Sequence, residues 1–121
     1  MQYNFFIEYS DEGLYFVLAN SDNKSEVLLR NYKYFKLKED CKRTINRTII
    51  RAQISGSYSK RMPQGNNWNF FILDDDESMT KLASGKSSGY SSELTMENEM
   101  ILIQKIIPNS GIIDQTYTYI D

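Results

Sequence analysis

The 121-residue sequence contains no histidine and a single cysteine, Cys41. Without imidazole the commonest metal ligand and general base is missing, so Ser-His-Asp and Cys-His catalytic machinery is excluded. One cysteine rules out an internal disulfide. No apolar run approaches the length of a membrane-spanning helix. The opening Met1-Gln2-Tyr3-Asn4 lacks the basic start and uninterrupted apolar core of a secretory leader, which makes the cytoplasm the expected location. The Asn46-Arg47-Thr48 sequon therefore carries no information. Proline occurs only twice, as Pro63 in an expected loop and Pro108 at the expected end of a helix.

Charge is present in abundance but unevenly placed. Residues 24 to 61 hold eleven Lys or Arg against three acids, while the rest holds three against thirteen. Such a division has two readings: a basic patch for nucleic acid, or two halves that attract each other once folded. The net charge of −2 favours the second, because nucleic-acid domains usually carry a basic balance overall.

The patterning predicts one α+β domain over 1–121. Tyr3, Phe5, Ile7 and Tyr9 alternate as in a half-buried strand, Asp11-Glu12-Gly13 is a turn, and strands follow over Leu14–Ala19 and about Ser25–Arg30. From about Lys36 to Gln53 the period lengthens, with Leu37, Cys41, Ile45, Ile49 and Ala52 on one helical face and Lys42, Arg43, Arg47 and Arg51 on another. Glu39 and Arg43 are spaced to pair across one turn. A strand over Ser57–Met62 and a loop at Pro63–Asn67 follow.

The order then returns. Leu14-Tyr15-Phe16-Val17-Leu18-Ala19 comes back 54 residues later as Trp68-Asn69-Phe70-Phe71-Ile72-Leu73, with Leu28 matched by Leu82 and Tyr34 by Tyr90. A strand near 79–83, a Gly-Ser link and a helix from about Glu93 to Ile107 complete it. Met96, Met100, Ile103 and Ile107 form the core stripe of that helix, Ser91 or Ser92 its cap, and Ile112–Ile120 a last strand. The chain thus reads as two tandem β-β-β-α-β repeats, about 1–60 and 57–121, sharing the strand near residue 58.

Trp68-Asn69-Phe70-Phe71-Ile72-Leu73, Gly89-Tyr90-Ser91-Ser92 and Ile112-Ile113-Asp114-Gln115-Thr116 resemble the W-x-F-x-L strand, G-Y-S-S helix opening and closing strand of the YegP-like family of small tandem-repeat proteins of unknown function. The first repeat keeps Tyr34 but lacks the serine cap, and neither turn carries the family's Asn-Gly. The resemblance implies a single antiparallel sheet built from both repeats, with exchanged C-terminal strands and two helices supported on it. It implies no catalytic activity and no cofactor.

Candidate chemistry is sparse. Ser84-Gly85-Lys86-Ser87 lacks the first glycine of a phosphate loop, that position being Thr80, and reads as a flexible link. Asp74-Asp75-Asp76-Glu77 reads as a solvated turn, since adjacent extended residues point in alternating directions and cannot converge on a cation. Cys41 falls on an apolar stripe and reads as buried and inert. Two surfaces remain. The spacer positions of the W-x-F-x-L strand, usually charged in the resembled family, are here Tyr15 and Val17 in one copy and Asn69 and Phe71 in the other, with Ala19 and Leu73 following; Tyr15, Val17, Phe71 and Leu73 predict a second, largely apolar sheet face that contacts another protein, most simply a second copy in a homodimer. The alternative is a small nucleic-acid module using Lys42, Arg43, Arg47 and Arg51 of the first helix, beside Tyr32, Tyr34 and Phe35. The expected function is accordingly a non-enzymatic interaction module with no metal.

Overall fold

The computed structural model describes residues 2–62, 67–75 and 79–116. Three long strands come first: β1 (Tyr3–Ser10), β2 (Gly13–Asn20) and β3 (Asn23–Asn31). Helix α1 (Lys38–Arg51) leads to β4 (Tyr58–Arg61), after which come β5 (Asn69–Leu73), β6 (Lys81–Ser84), helix α2 (Glu93–Ile106) and β7 (Ile112–Asp114). Both helices sit within their expected windows. The Ser92 side chain caps α2 by accepting the Thr95 amide at 3.1 Å, whereas Leu37 at the start of α1 provides no such bond. Of the last expected strand, residues 117–120 lie outside the described residues, as do Pro63–Asn66 of the loop and Asp76 and Glu77 of the acidic turn.

Among the described residues the seven strands form one sheet in the order β4-β5-β6-β3-β2-β1-β7. The sheet is mixed and not antiparallel throughout: β7 runs parallel to β1, with Phe5 beside Ile112 and Ile7 beside Asp114. A parallel neighbour requires a crossover, and α2 provides the length for one. The Phe5 amide donates to the Gly111 carbonyl at 2.8 Å and the Gln115 amide to that of Ile7 at 3.0 Å. Strand β4, which follows α1, pairs with β5, while β7, which follows α2, pairs with β1.

Alternation along the strands decides what the helices cover. Phe5, Ile7, Phe16, Leu18, Leu29, Phe70 and Ile72 are buried in one cluster with Cys41 and Ile45 of α1 and Met96 and Ile103 of α2. Trp68 and Met100 pack at its margin. Tyr9 departs from the pattern: at the end of β1 it is 56% exposed.

Two corners are built alike. Leu14 and Phe35 exchange both backbone hydrogen bonds, and so do Trp68 and Tyr90. Phe35 stacks on Phe16 with ring centres 6.2 Å apart, and Tyr90 stacks on Phe70 at 6.1 Å. Phe35, and not Tyr34, thus takes at its corner the place that Tyr90 takes at the other. Burial and the Glu99 carboxylate beside its hydroxyl push the Tyr90 phenol well above its usual range.

Charge is paired locally. Lys60 on β4 reaches Glu93 and Glu97 of α2 at 3.1 and 2.7 Å, so a basic and an acidic segment do meet. Arg43 takes Asp40 at 2.9 Å in place of the expected Glu39. Asp114 on β7 meets Lys38 at the start of α1 at 3.0 Å and accepts the Thr116 amide at 2.9 Å. Burial alone would raise its pKa, but the bonds from Thr116 and the Lys38 ammonium outweigh it and hold the carboxyl below its ordinary 3.8. A depressed carboxyl contributes stability above its unfolded pKa, and this is lost as pH falls through the folded value. Asp114→Asn should therefore lower the melting temperature near neutral pH, with the difference from wild type shrinking below pH 3.8. A gap that persists unchanged in acid would refute a charge-based role. Among the described residues no helix is long and apolar enough to cross a membrane.

Candidate functional site

Both helices cover one face of the sheet, and cross-strand pairing fixes what the other face presents. Residues paired across strands point the same way. Ser59, Phe71, Ser84, Arg30, Val17, Phe6 and Ile113 are linked pair by pair into a single row spanning β4 to β7. The row is apolar on the β2 side of a guanidinium, with Val17, Phe6 and Ile113, and mixed on the other, where Phe71 stands between two serines. Arg30 sits between Ser84 and Val17, near the middle of the open face.

Tyr15, Val17 and Phe71 are half-buried on this face, but they do not form the contiguous apolar patch expected of them. Strands β2 and β5 are separated by β6 and β3, which place Ser84 and Arg30 between them. Leu73 is 7% exposed and lies beside Lys81, just past a break in register after Ile72.

The rings that do reach the surface come in two groups. Tyr15 and Tyr34 meet edge to face at 6.1 Å, and Tyr32 and Phe71 at 5.6 Å. Cations attend them. Lys81 lies 5.0 Å from the Tyr32 ring centre and 4.6 Å from that of Phe71, which Arg61 also approaches at 5.7 Å. Beside the first group is a groove of about 400 Å³, lined by Tyr15, Val17, Val27, Arg30 and Tyr34. A second concavity of about 430 Å³ is lined by Phe71, Arg61, Asn69 and Ser84. Among the described residues Arg30, Arg61, Lys81 and Lys86 form no ion pair. Glu8, across from Tyr15, is already held by Lys24 at 3.2 Å.

The basic face of α1 is differently placed. Arg47 donates twice to Asp74, at 2.8 and 2.6 Å, Arg51 donates to the Leu73 carbonyl at 3.0 Å, and Arg43 is paired with Asp40. Lys42 is half-buried beside them. Arg47 and Arg51 fasten the helix to the end of β5. The Asp74 turn thus has a tethering part to play.

Cys41 is fully buried, and burial followed by the Asp114 carboxylate pushes its thiol up to about 11, so it is no nucleophile near neutral pH. Gly85 is explained by packing. A Cβ there would sit 2.8 Å from the Phe70 ring and 3.0 Å from the Tyr90 hydroxyl. Among the described residues no group of three or more His, Cys, Asp or Glu is placed to hold a metal.

No family model matches the sequence, and no curated protein does. Two solved structures resemble the fold. One is the solution structure of yegP, a protein of unknown function from E. coli, 16% identical over 95% of this chain and 94% of that one, with a TM-score of 0.79. The other is the solution structure of a UPF0339 protein from Shewanella oneidensis, 17% identical over the whole of both chains, with a TM-score of 0.78. The three chains share one fold. At such identities the likeness extends to architecture and leaves function open.

Proposed function

We propose that this chain is a YegP-like, non-enzymatic interaction module, made of two copies of one β-β-β-α-β unit, that receives an anionic partner on the open face of its sheet. The duplication is supported by the matched corners at Leu14 with Phe35 and Trp68 with Tyr90. The single observation that carries the functional reading is Arg30, a guanidinium that has no ion pair among the described residues, at the centre of a face that the helices leave uncovered.

Charge also bears on the choice of occupant. A second copy docked by a two-fold through the centre of this face would set Arg30 of one protomer against the same guanidinium of the other, which costs several kcal/mol when like charges are juxtaposed. An anionic partner meets no such opposition. Basic α1 is the less suitable surface because Arg43 and Arg47 already hold carboxylates and Arg51 a carbonyl.

Titrating isotope-labelled protein with inorganic polyphosphate should shift amides of β2, β3, β5 and β6 around Arg30, and Arg30→Gln should weaken the effect. Shifts confined to α1 would overturn the assignment. In sedimentation the chain should remain a monomer at high concentration. A dimer dispersed by Val17→Lys with Phe71→Lys would restore self-association as the mode.

A further inference from the structure

The open face offers more than charge. Its two ring pairs stand on opposite sides of β3: Tyr15 with Tyr34 toward β2, and Tyr32 with Phe71 toward β5. From β2 to β5 the sheet crosses three strand spacings, about 14 Å. Between them lies Arg30, with Lys81 and Arg61 on the β5 side. Tyr32 and Tyr34 are 50% and 41% exposed, so substantial ring surface faces water.

A matching ligand must therefore present flat groups to each ring pair and negative charge in the interval. We infer that the open sheet face of this chain binds single-stranded nucleic acid, with bases stacking on the Tyr34 and Tyr32 sides and intervening phosphates meeting Arg30, Lys81 and Arg61. This rests on the open-face reading above and names its ligand class. An acidic peptide satisfies the cations but leaves the rings unused. A duplex has its base faces already stacked inside and cannot offer them, whereas an unpaired strand presents bases and phosphates together. The overall acidity of the chain does not stand against this, because the fold separates the charges: Glu93 and Glu97 lie on α2, behind the sheet, with Lys60. On the open face Glu8 is neutralised by Lys24.

Fluorescence anisotropy with labelled oligo(dT) and oligo(U) of about 12 nucleotides, within the range one such sheet accommodates, provides the test. The single strands should bind at least about tenfold more tightly than a duplex of equal length or a polyglutamate peptide of equal charge. With about three phosphates engaged, log affinity should fall against log salt with a slope of about −2. Tyr32→Ala with Tyr34→Ala should weaken binding by about tenfold or more. Arg30→Gln should weaken it and flatten the salt slope by about 0.7. Lys42→Gln with Arg43→Gln on α1 should leave it unchanged, and circular dichroism checks that each variant is folded. If polyglutamate binds as tightly as the oligonucleotides, or the tyrosine changes have no effect, base recognition is refuted while an anion-binding open face survives. If binding disappears with the α1 changes and persists in Arg30→Gln, both readings fall. Absence of oligonucleotide binding at low salt overturns the inference alone, and the polyphosphate titration then decides the broader reading.

Discussion

Phe70→Ala is expected to destabilise the fold by about 3–5 kcal/mol, the cost of truncating a fully buried phenylalanine. The ring has no exposed surface and lies between Tyr58, 5.5 Å away, and Tyr90, on which it stacks at 6.1 Å. Truncation removes contacts to both. Collapse around the gap is hindered because both neighbours are tied elsewhere: the Tyr58 hydroxyl donates to the Ala52 carbonyl at 2.7 Å, and the Tyr90 hydroxyl to Glu99. Gly85, close against the Phe70 ring, has no side chain with which to fill the space. The cavity term therefore adds to the transfer term. Phe71→Ala, one residue along on the opposite face, should cost less than half as much, since its ring is only half-buried. Urea unfolding with unchanged m-values measures both. A cost below about 1 kcal/mol at Phe70 would mean that the helix-side face is assigned to the wrong parity.

That parity was legible in the sequence because alternation is a local signal. Phe16, Leu18, Phe70 and Ile72 fall on the helix side as their spacing requires, and the stripes of Cys41 with Ile45 and of Met96 with Ile103 meet them. What depended on long-range pairing was not legible. The parallel run of β7 beside β1 leaves no trace in its composition, since strand direction is set by the crossover that precedes it. Tyr34 was aligned with Tyr90 by residue type, yet backbone pairing selects Phe35, one position later, and this leaves Tyr34 free to join Tyr15 on the open face.

Arg30 shows the same boundary at the candidate site. Strand β3 buries Leu28 and Leu29 in succession and shifts register against β2 on either side of Ala19, so alternation read along the strand does not reveal which way Arg30 points. Its pairing with Val17 and Ser84 does. Conversely, the basic stripe on α1 was plain to read. Its engagement by Asp74 and the Leu73 carbonyl was not, because those acceptors arrive from a strand more than twenty residues later. Local spacing identifies which side chains share an element. The residues already neutralised emerge only when the elements meet.

Gly13→Ala should be the second costly change, at about 2–4 kcal/mol. The Asp11-Glu12 turn between β1 and β2 ends on Gly13 with φ +132°, a backbone conformation that residues with a Cβ rarely adopt. The added methyl would also stand 2.8 Å from the Phe35 carbonyl oxygen. That oxygen cannot retreat freely, because it accepts the Leu14 amide at 2.8 Å, while the Phe35 amide donates back to the Leu14 carbonyl at 2.9 Å. Relief of the clash thus loosens the reciprocal pair that brings the segment after β3 against β2, beneath the stack of Phe35 on Phe16. Gly56→Ala provides the contrast. A Cβ at Gly56 meets nothing within 4 Å and its φ is not positive, so alanine should be neutral or stabilise by up to about 1 kcal/mol through the unfolded chain. Equal effects of the two substitutions on the urea midpoint would show that neither the backbone conformation nor the Phe35 contact constrains position 13.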